Sequence, residues 1–114
     1  MRMINRSAIV VIPKQPFLEW LHRVDPTSRE ITLPELANEP SIHLIPECET
    51  GEDVVSVLQD LFEEIFVEEL DGWYRDPDIW PQNRSFDVFC AWFDYSHHSV
   101  LNDLSEGPLR RHSY

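Results

Sequence analysis

Glycine and cysteine are scarce in this sequence, bases are few, and no long apolar run is present. Three glycines in 114 residues leave no glycine-rich loop to cradle a phosphate and no G-x-S-x-G turn, and H-E-x-x-H is missing too. Two cysteines, Cys48 and Cys90, allow one bridge at most and give no disulfide framework. No stretch approaches the roughly 18 apolar residues of a membrane span. The opening Met1-Arg2-Met3-Ile4-Asn5-Arg6 precedes only a short apolar stretch, Ala8 to Pro13, too brief for a secretory signal. The expectation is a cytoplasmic domain with no membrane attachment. Nine Lys and Arg stand against 21 Asp and Glu, a formal charge of −12. That balance argues against direct nucleic-acid binding, which needs bases to displace counterions from phosphates.

What is present is enough apolar material for a core, 42% of residues, in a length suited to one domain. We read residues 1–107 as that domain and 108–114 as a short flexible tail. The charge is segregated. Residues 1–46 hold five acids and five bases and residues 75–114 hold six and four, but residues 47–74 hold ten acids and no base.

Ser7 to Ile12 is β-branched, ends at Pro13 and reads as a strand buried on both faces. Pro16 opens a short helix with Phe17, Trp20, Leu21 and Val24 on one face. Thr32 and Glu35 fit a capping box for a second short helix, stopped by Pro40. Ser41 to Ile45 is the second strand. A helical crossover joins the two strands, so parallel pairing is expected. Two strands alone are marginal, and a third strand not evident in the sequence, or a partner chain, is needed to complete the sheet.

Gly51 to Leu70 is the longest helical pattern. Val54, Val55, Leu58, Leu61, Phe62, Ile65 and Phe66 share one broad face, and Glu52, Asp53, Asp60, Glu63, Glu64, Glu68 and Asp71 cluster opposite. Glu69 falls within the apolar face and Val67 among the acids. Either the helix unwinds near residue 68 or Glu69 is buried. Gly72 is a plausible residue for ending the helix. A last helix is expected from Ser85 to about Leu104, with Phe86, Phe89, Phe93, Val100 and Leu104 on its main face. Val88, Trp92 and Tyr95 form a second stripe.

Four constellations bear on function. The acidic face, Asp53, Asp60, Glu63, Glu64, Glu68 and Asp71, fits a field that steers a basic partner. A sharper version is mimicry of nucleic-acid phosphates, and the plain alternative is a solvated face. Between the helices, Trp73, Tyr74 and Trp80, fringed by Arg75 and Arg84, have the composition of an interaction hot spot; the alternative is a core plug sealing the junction of the two long helices, and both hold if Trp80 lies inside and Tyr74 outside. Trp92 and Tyr95 offer a further partner surface or pack under the N-terminal helix. Cys90, Asp94 and His97, at i, i+4 and i+7, are a weak candidate set for a transition metal. Glu69, if buried, is the best acid–base candidate, against a plain salt bridge to Arg75 or Arg84. Cys90 as nucleophile is disfavoured by its aromatic neighbours. No cofactor is implied.

Several stretches taken together carry a resemblance. They are Pro13-Lys14-Gln15-Pro16-Phe17-Leu18-Glu19-Trp20-Leu21, Asp25-Pro26-Thr27, Leu44-Ile45-Pro46-Glu47, Leu70-Asp71-Gly72-Trp73, Trp80-Pro81-Gln82-Asn83-Arg84 and His97-His98-Ser99-Val100. Over most of its length the chain resembles a family of small acidic bacterial proteins with no assigned activity. Some relatives carry the label VacJ, a phospholipid-transport lipoprotein. That label implies a lipidated cysteine near the N-terminus, whereas the first cysteine here is Cys48, so the name is not carried over. The resemblance implies a bacterial single-domain protein and supplies no catalytic residues.

The expectation is therefore an α+β domain, with a small sheet of two or slightly more strands packed against two long and one or two short helices. Its leading function is a non-enzymatic interaction module, with a protein partner of basic character and homodimerisation as one form of assembly. A small enzyme or metal-site protein is the second reading and a nucleic-acid mimic the third.

Overall fold

A computed structural model describes residues 3–112. Residues 1, 2, 113 and 114, which the expected domain and tail ranges include, lie outside it. The chain is α+β. Strand β1, Ser7–Pro13, leads through Lys14 into helix α1, Gln15–Val24, and a 3-10 turn at Pro26–Ser28 precedes the short helix α2, Leu33–Ala37. Strand β2, Ser41–Ile45, is followed by the long helix α3, Gly51–Asp71. A second 3-10 turn at Pro77–Ile79 leads to helix α4, Phe86–Trp92, which runs directly into strand β3, Phe93–His98. The sheet order is β2-β1-β3, antiparallel throughout.

Two expectations are overturned here. Parallel pairing of the first two strands fails because the connection has two legs, α1 outward and the 3-10 turn with α2 back. It therefore returns to the end of the sheet it left, and Ser41 pairs opposite Val11. A single helical leg would have delivered the chain to the far end. The second correction concerns the last helix, which stops at Trp92 rather than near Leu104. Phe93 has φ −136° and ψ 141°, and residues 93–98 supply the third strand. Phe93, Tyr95 and His97 turn inward while Asp94, Ser96 and His98 turn out, a period of two that the aromatic spacing had masked. β1 is the middle strand and its backbone groups pair on both edges, but Val10 and Ile12 on its outer face are only partly buried, short of the expected burial on both faces. Val100 and Leu104, expected on a helical face, are exposed at 62% and 86%. Only α3 is a long helix.

All three helices of seven or more residues contribute to one core with the inner sheet face. Ile9 and Val11 from β1 and Phe93 from β3 meet Phe17, Trp20 and Leu21 from α1, Leu58, Ile65 and Phe66 from α3, and Phe89 from α4. The Phe66 ring stands edge-on to Phe93 at 5.3 Å and 5.4 Å from Trp92, spacings at which aromatic pairs attract beyond their buried area. α3 starts at a capping box in which Thr50 accepts from the Asp53 N–H and the Asp53 carboxylate accepts from the Thr50 N–H. It does not unwind near residue 68. Gly72 closes it in right-handed geometry, φ −62°. Val55, assigned to the apolar face, lies at the margin of the contact and is 38% exposed.

Among the described residues, the helices pack on the inner face of the sheet, with Ile9 and Val11. Ile42 and Leu44 point outward from β2 and are 66% and 52% exposed. Residues 108–112 form no regular structure and are exposed. No helix among the described residues is long and apolar enough to cross a membrane.

Candidate functional site

The end of α3 and the start of β2 place a histidine between two carboxylates. β2 alternates, so Ser41, His43 and Ile45 face the helices while Ile42 and Leu44 face out. His43 Nε2 lies 3.1 Å from Glu69 Oε1, and Nδ1 lies 3.3 Å from Glu68 Oε2. Glu69 occupies the apolar side of α3, and its side chain is only 8% exposed. A carboxylate there needs a polar partner. The expected partners, Arg75 and Arg84, do not supply it. Arg75 is exposed, and Arg84 binds Glu63 through Nε at 3.1 Å and Nη2 at 2.9 Å, with a further bond to the Pro81 carbonyl. The partner is His43, 26 residues earlier in the chain.

Beside this pair lies a cleft of about 420 Å³ between α2 and the end of α3. Its apolar wall is Pro13, Ile31 and Leu36, Trp73 stands on it, and four carboxylates, Glu35, Glu39, Glu68 and Glu69, line it. None of its lining residues is Lys or Arg. Glu35 is tied to the start of α2, where the Thr32 hydroxyl accepts its N–H and donates to its carboxylate at 3.2 Å. Glu39 is exposed just beyond α2.

In the aromatic loop Tyr74 and Trp80 are both half-buried against the core, so they do not divide into an inside and an outside residue. The Tyr74 ring meets Trp20 edge-on and its hydroxyl donates to the Asp25 carboxylate. Trp80 is half-buried, with its indole N–H donating to the Tyr74 carbonyl at 2.7 Å. The Trp20 indole N–H in turn donates to the Ile79 carbonyl at 2.9 Å. Trp73 is the outward residue, 42% exposed. Hydrogen bonds from Thr27 and Tyr74 hold the Asp25 carboxyl below its ordinary value. The bond to Asp25, with burial and the carboxylate's charge, pushes the Tyr74 phenol up.

Trp92 and Tyr95 do not share a helical stripe, since Trp92 ends α4 and Tyr95 lies on β3. Trp92 packs edge-on against Phe17 of α1 at 6.2 Å, and Tyr95 is half-buried on the inner sheet face. The metal candidate also dissolves. Cys90 is on α4, whereas Asp94 and His97 are on β3 and point to opposite faces, so their helical spacing does not exist. Among the described residues, no group of three or more His, Cys, Asp and Glu is arranged to hold a metal. Both thiols are pushed up, chiefly by burial, which disfavours the nucleophilic thiolate. His97 Nε2 is buried without a hydrogen-bond partner.

The acidic face is partly spent inside the fold. Asp53 serves the helix start, Glu63 binds Arg84 and Glu68 binds His43. Asp60, Glu64 and Asp71 are exposed and form no ion pair among the described residues. Sequence reasoning missed His43, Glu35 and Glu39. Alternation alone favours Ile42 and Leu44 as the inward residues of β2, and no local signal reverses that choice. No family model matches the chain, and neither a curated protein nor a solved structure matches it.

Proposed function

We propose that this chain is a non-enzymatic interaction module whose α2–α3 cleft receives a cationic side chain, or a short basic segment, of a protein partner. The observation that carries the reading is the set of four glutamates on an apolar-walled cleft that no Lys or Arg lines. A guanidinium or ammonium entering it gains charge-assisted hydrogen bonds. Its alkyl stem covers Ile31 and Leu36, and the Trp73 ring is placed to receive the cation. The unpaired acids of α3 add a long-range field that raises encounter rates for the same partner.

Acid–base chemistry has less support. Both His43 nitrogens already lie against carboxylates of its own chain, at 3.1 and 3.3 Å, and no nucleophile or second base is grouped with them. A Lys- and Arg-containing peptide titrated into the protein should quench or shift Trp73 fluorescence, and binding should weaken as salt rises. Trp73→Phe identifies the signal, and Glu39→Lys should reduce affinity by about tenfold. A peptide that binds neither at low nor at moderate salt, or binds Glu39→Lys equally well, ends this reading.

A further inference from the structure

Building on the cleft reading above, we infer that the basic segment it receives is Leu109-Arg110-Arg111 of a second copy of this chain. Arg110 and Arg111 are the only adjacent pair of Lys or Arg residues in the sequence. They stand, with Arg6, on a cavity of about 510 Å³ whose apolar wall is Met3, Leu44 and Leu109, and no carboxylate lines it. Leu109 is 66% exposed. One copy thus presents an exposed leucine followed by two guanidiniums, and the other presents an apolar wall bordered by two pairs of carboxylates. The charges are of opposite sign and each surface carries an apolar wall.

The segment does not reach the cleft of its own chain. The cleft lies at Pro13 and Ser41, one end of the β1–β2 pair, whereas Leu109 to Arg111 sit with Met3 and Ile4, beyond the Ser7 end. Six residue steps of β1 separate those ends by about 20 Å. Gly107 also lies against Met3 and Ile4, and three residues of chain from it to Arg110 span at most about 10 Å. The contact is therefore between copies and joins unlike surfaces, a heterologous arrangement. At about 0.1 M salt the repulsion between the distant acids of two copies is screened beyond roughly 10 Å, while the close pairs persist.

Sedimentation equilibrium of the full chain at about 0.1 M salt should show a mass that rises above 13.5 kDa with concentration. Arg110→Glu with Arg111→Glu should weaken association by at least about tenfold, and Glu39→Lys should do the same. Mixing those two variants should restore it, since one keeps the cleft and the other keeps the segment. A chain that stays monomeric overturns the inference. So does association that both charge reversals leave intact, above all if Leu44→Glu abolishes it, which would mean that the uncovered sheet faces meet. A separate peptide carrying Leu-Arg-Arg distinguishes the two readings. If it binds the cleft while the chain stays monomeric, this inference falls and the cleft reading stands. If it does not bind either, both fall.

Discussion

At the scale of single residues, the decisive pairing is His43 with Glu69. A carboxylate that is 8% exposed on the apolar side of a helix is tolerated because an imidazole reaches it across the sheet–helix boundary. Removing the imidazole strands the carboxylate. His43→Ala should cost about 2–3 kcal/mol in urea unfolding, and Glu69→Ala combined with it should cost less than the sum of the two single changes. Additive losses would show that the two side chains act independently. Asp25 and Tyr74 form another polar contact that joins distant segments. Because the Asp25 value is lowered in the folded chain, its contribution is present above the ordinary value of 3.8 and is lost as pH falls through the folded one. Tyr74 works in the opposite sense. Its raised value means that its contribution is full below pH about 10 and is lost as pH rises through the folded value. In an absorbance titration Tyr74, identified by Tyr74→Phe, should ionise above the ordinary tyrosine value, and Asp25→Asn should lower it.

At the scale of elements, helix starts were legible at Thr32 and Ser85, and the structure adds a third cap of the same kind at Thr50. Thr50, Thr32 and Ser85 each accept a backbone N–H from the third residue of the helix that follows, a local signal that survives any tertiary context. α3 depends on that start more than the others do, since its first turn packs only Val54 into the core. Thr50→Ala should destabilise the protein by about 1 kcal/mol, measured as a lower urea midpoint at unchanged slope. A midpoint that does not move would show that packing alone sets the start of α3. The α4–β3 junction was not legible for the opposite reason. Phe86, Phe89 and Phe93 satisfy a helical face, and Phe93, Tyr95 and His97 satisfy a strand face. Nothing local separates the two patterns at Phe93. The backbone of β1 separates them, because Pro13 pairs with Phe93 and the Lys14 N–H donates to the Trp92 carbonyl at 2.8 Å.

At the scale of the whole molecule, charge is the dominant feature. A net −12 leaves the acidic stretch 47–74 relieved chiefly by Arg84 and His43, so self-repulsion is built into the fold. Raising salt from about 0.02 to 0.5 M screens that repulsion and should raise the melting temperature by a few degrees; a fall would mean that the attractive pairs outweigh it. The same distribution sets the two ends of the molecule against each other. Glutamates gather at the α2–α3 cleft, and Arg6, Arg110 and Arg111 gather at the far end of β1. Composition reports the sum of these charges but not their placement.

Sequence reading alone reached the α+β class, the strands at 7–12 and 41–45, the caps at Thr32 and Ser85 and the two-sided character of 51–70. Each rests on periodicity or on contacts within a few residues. It singled out Trp73, Tyr74 and Trp80 through composition, but not which of them is exposed: Trp73 is, while Tyr74 and Trp80 are both half-buried. Strand direction, the third strand, the inward turn of His43 and the burial of Glu69 came from the assembled fold. These depend on partners tens of residues away, such as Ile9 between His43 and His97 or Asp25 beneath Tyr74. A strand offers two equally regular faces, and a buried charge has no local signature. Which face turns in, and which carboxylate finds a partner, is settled only when the sheet and helix close on each other.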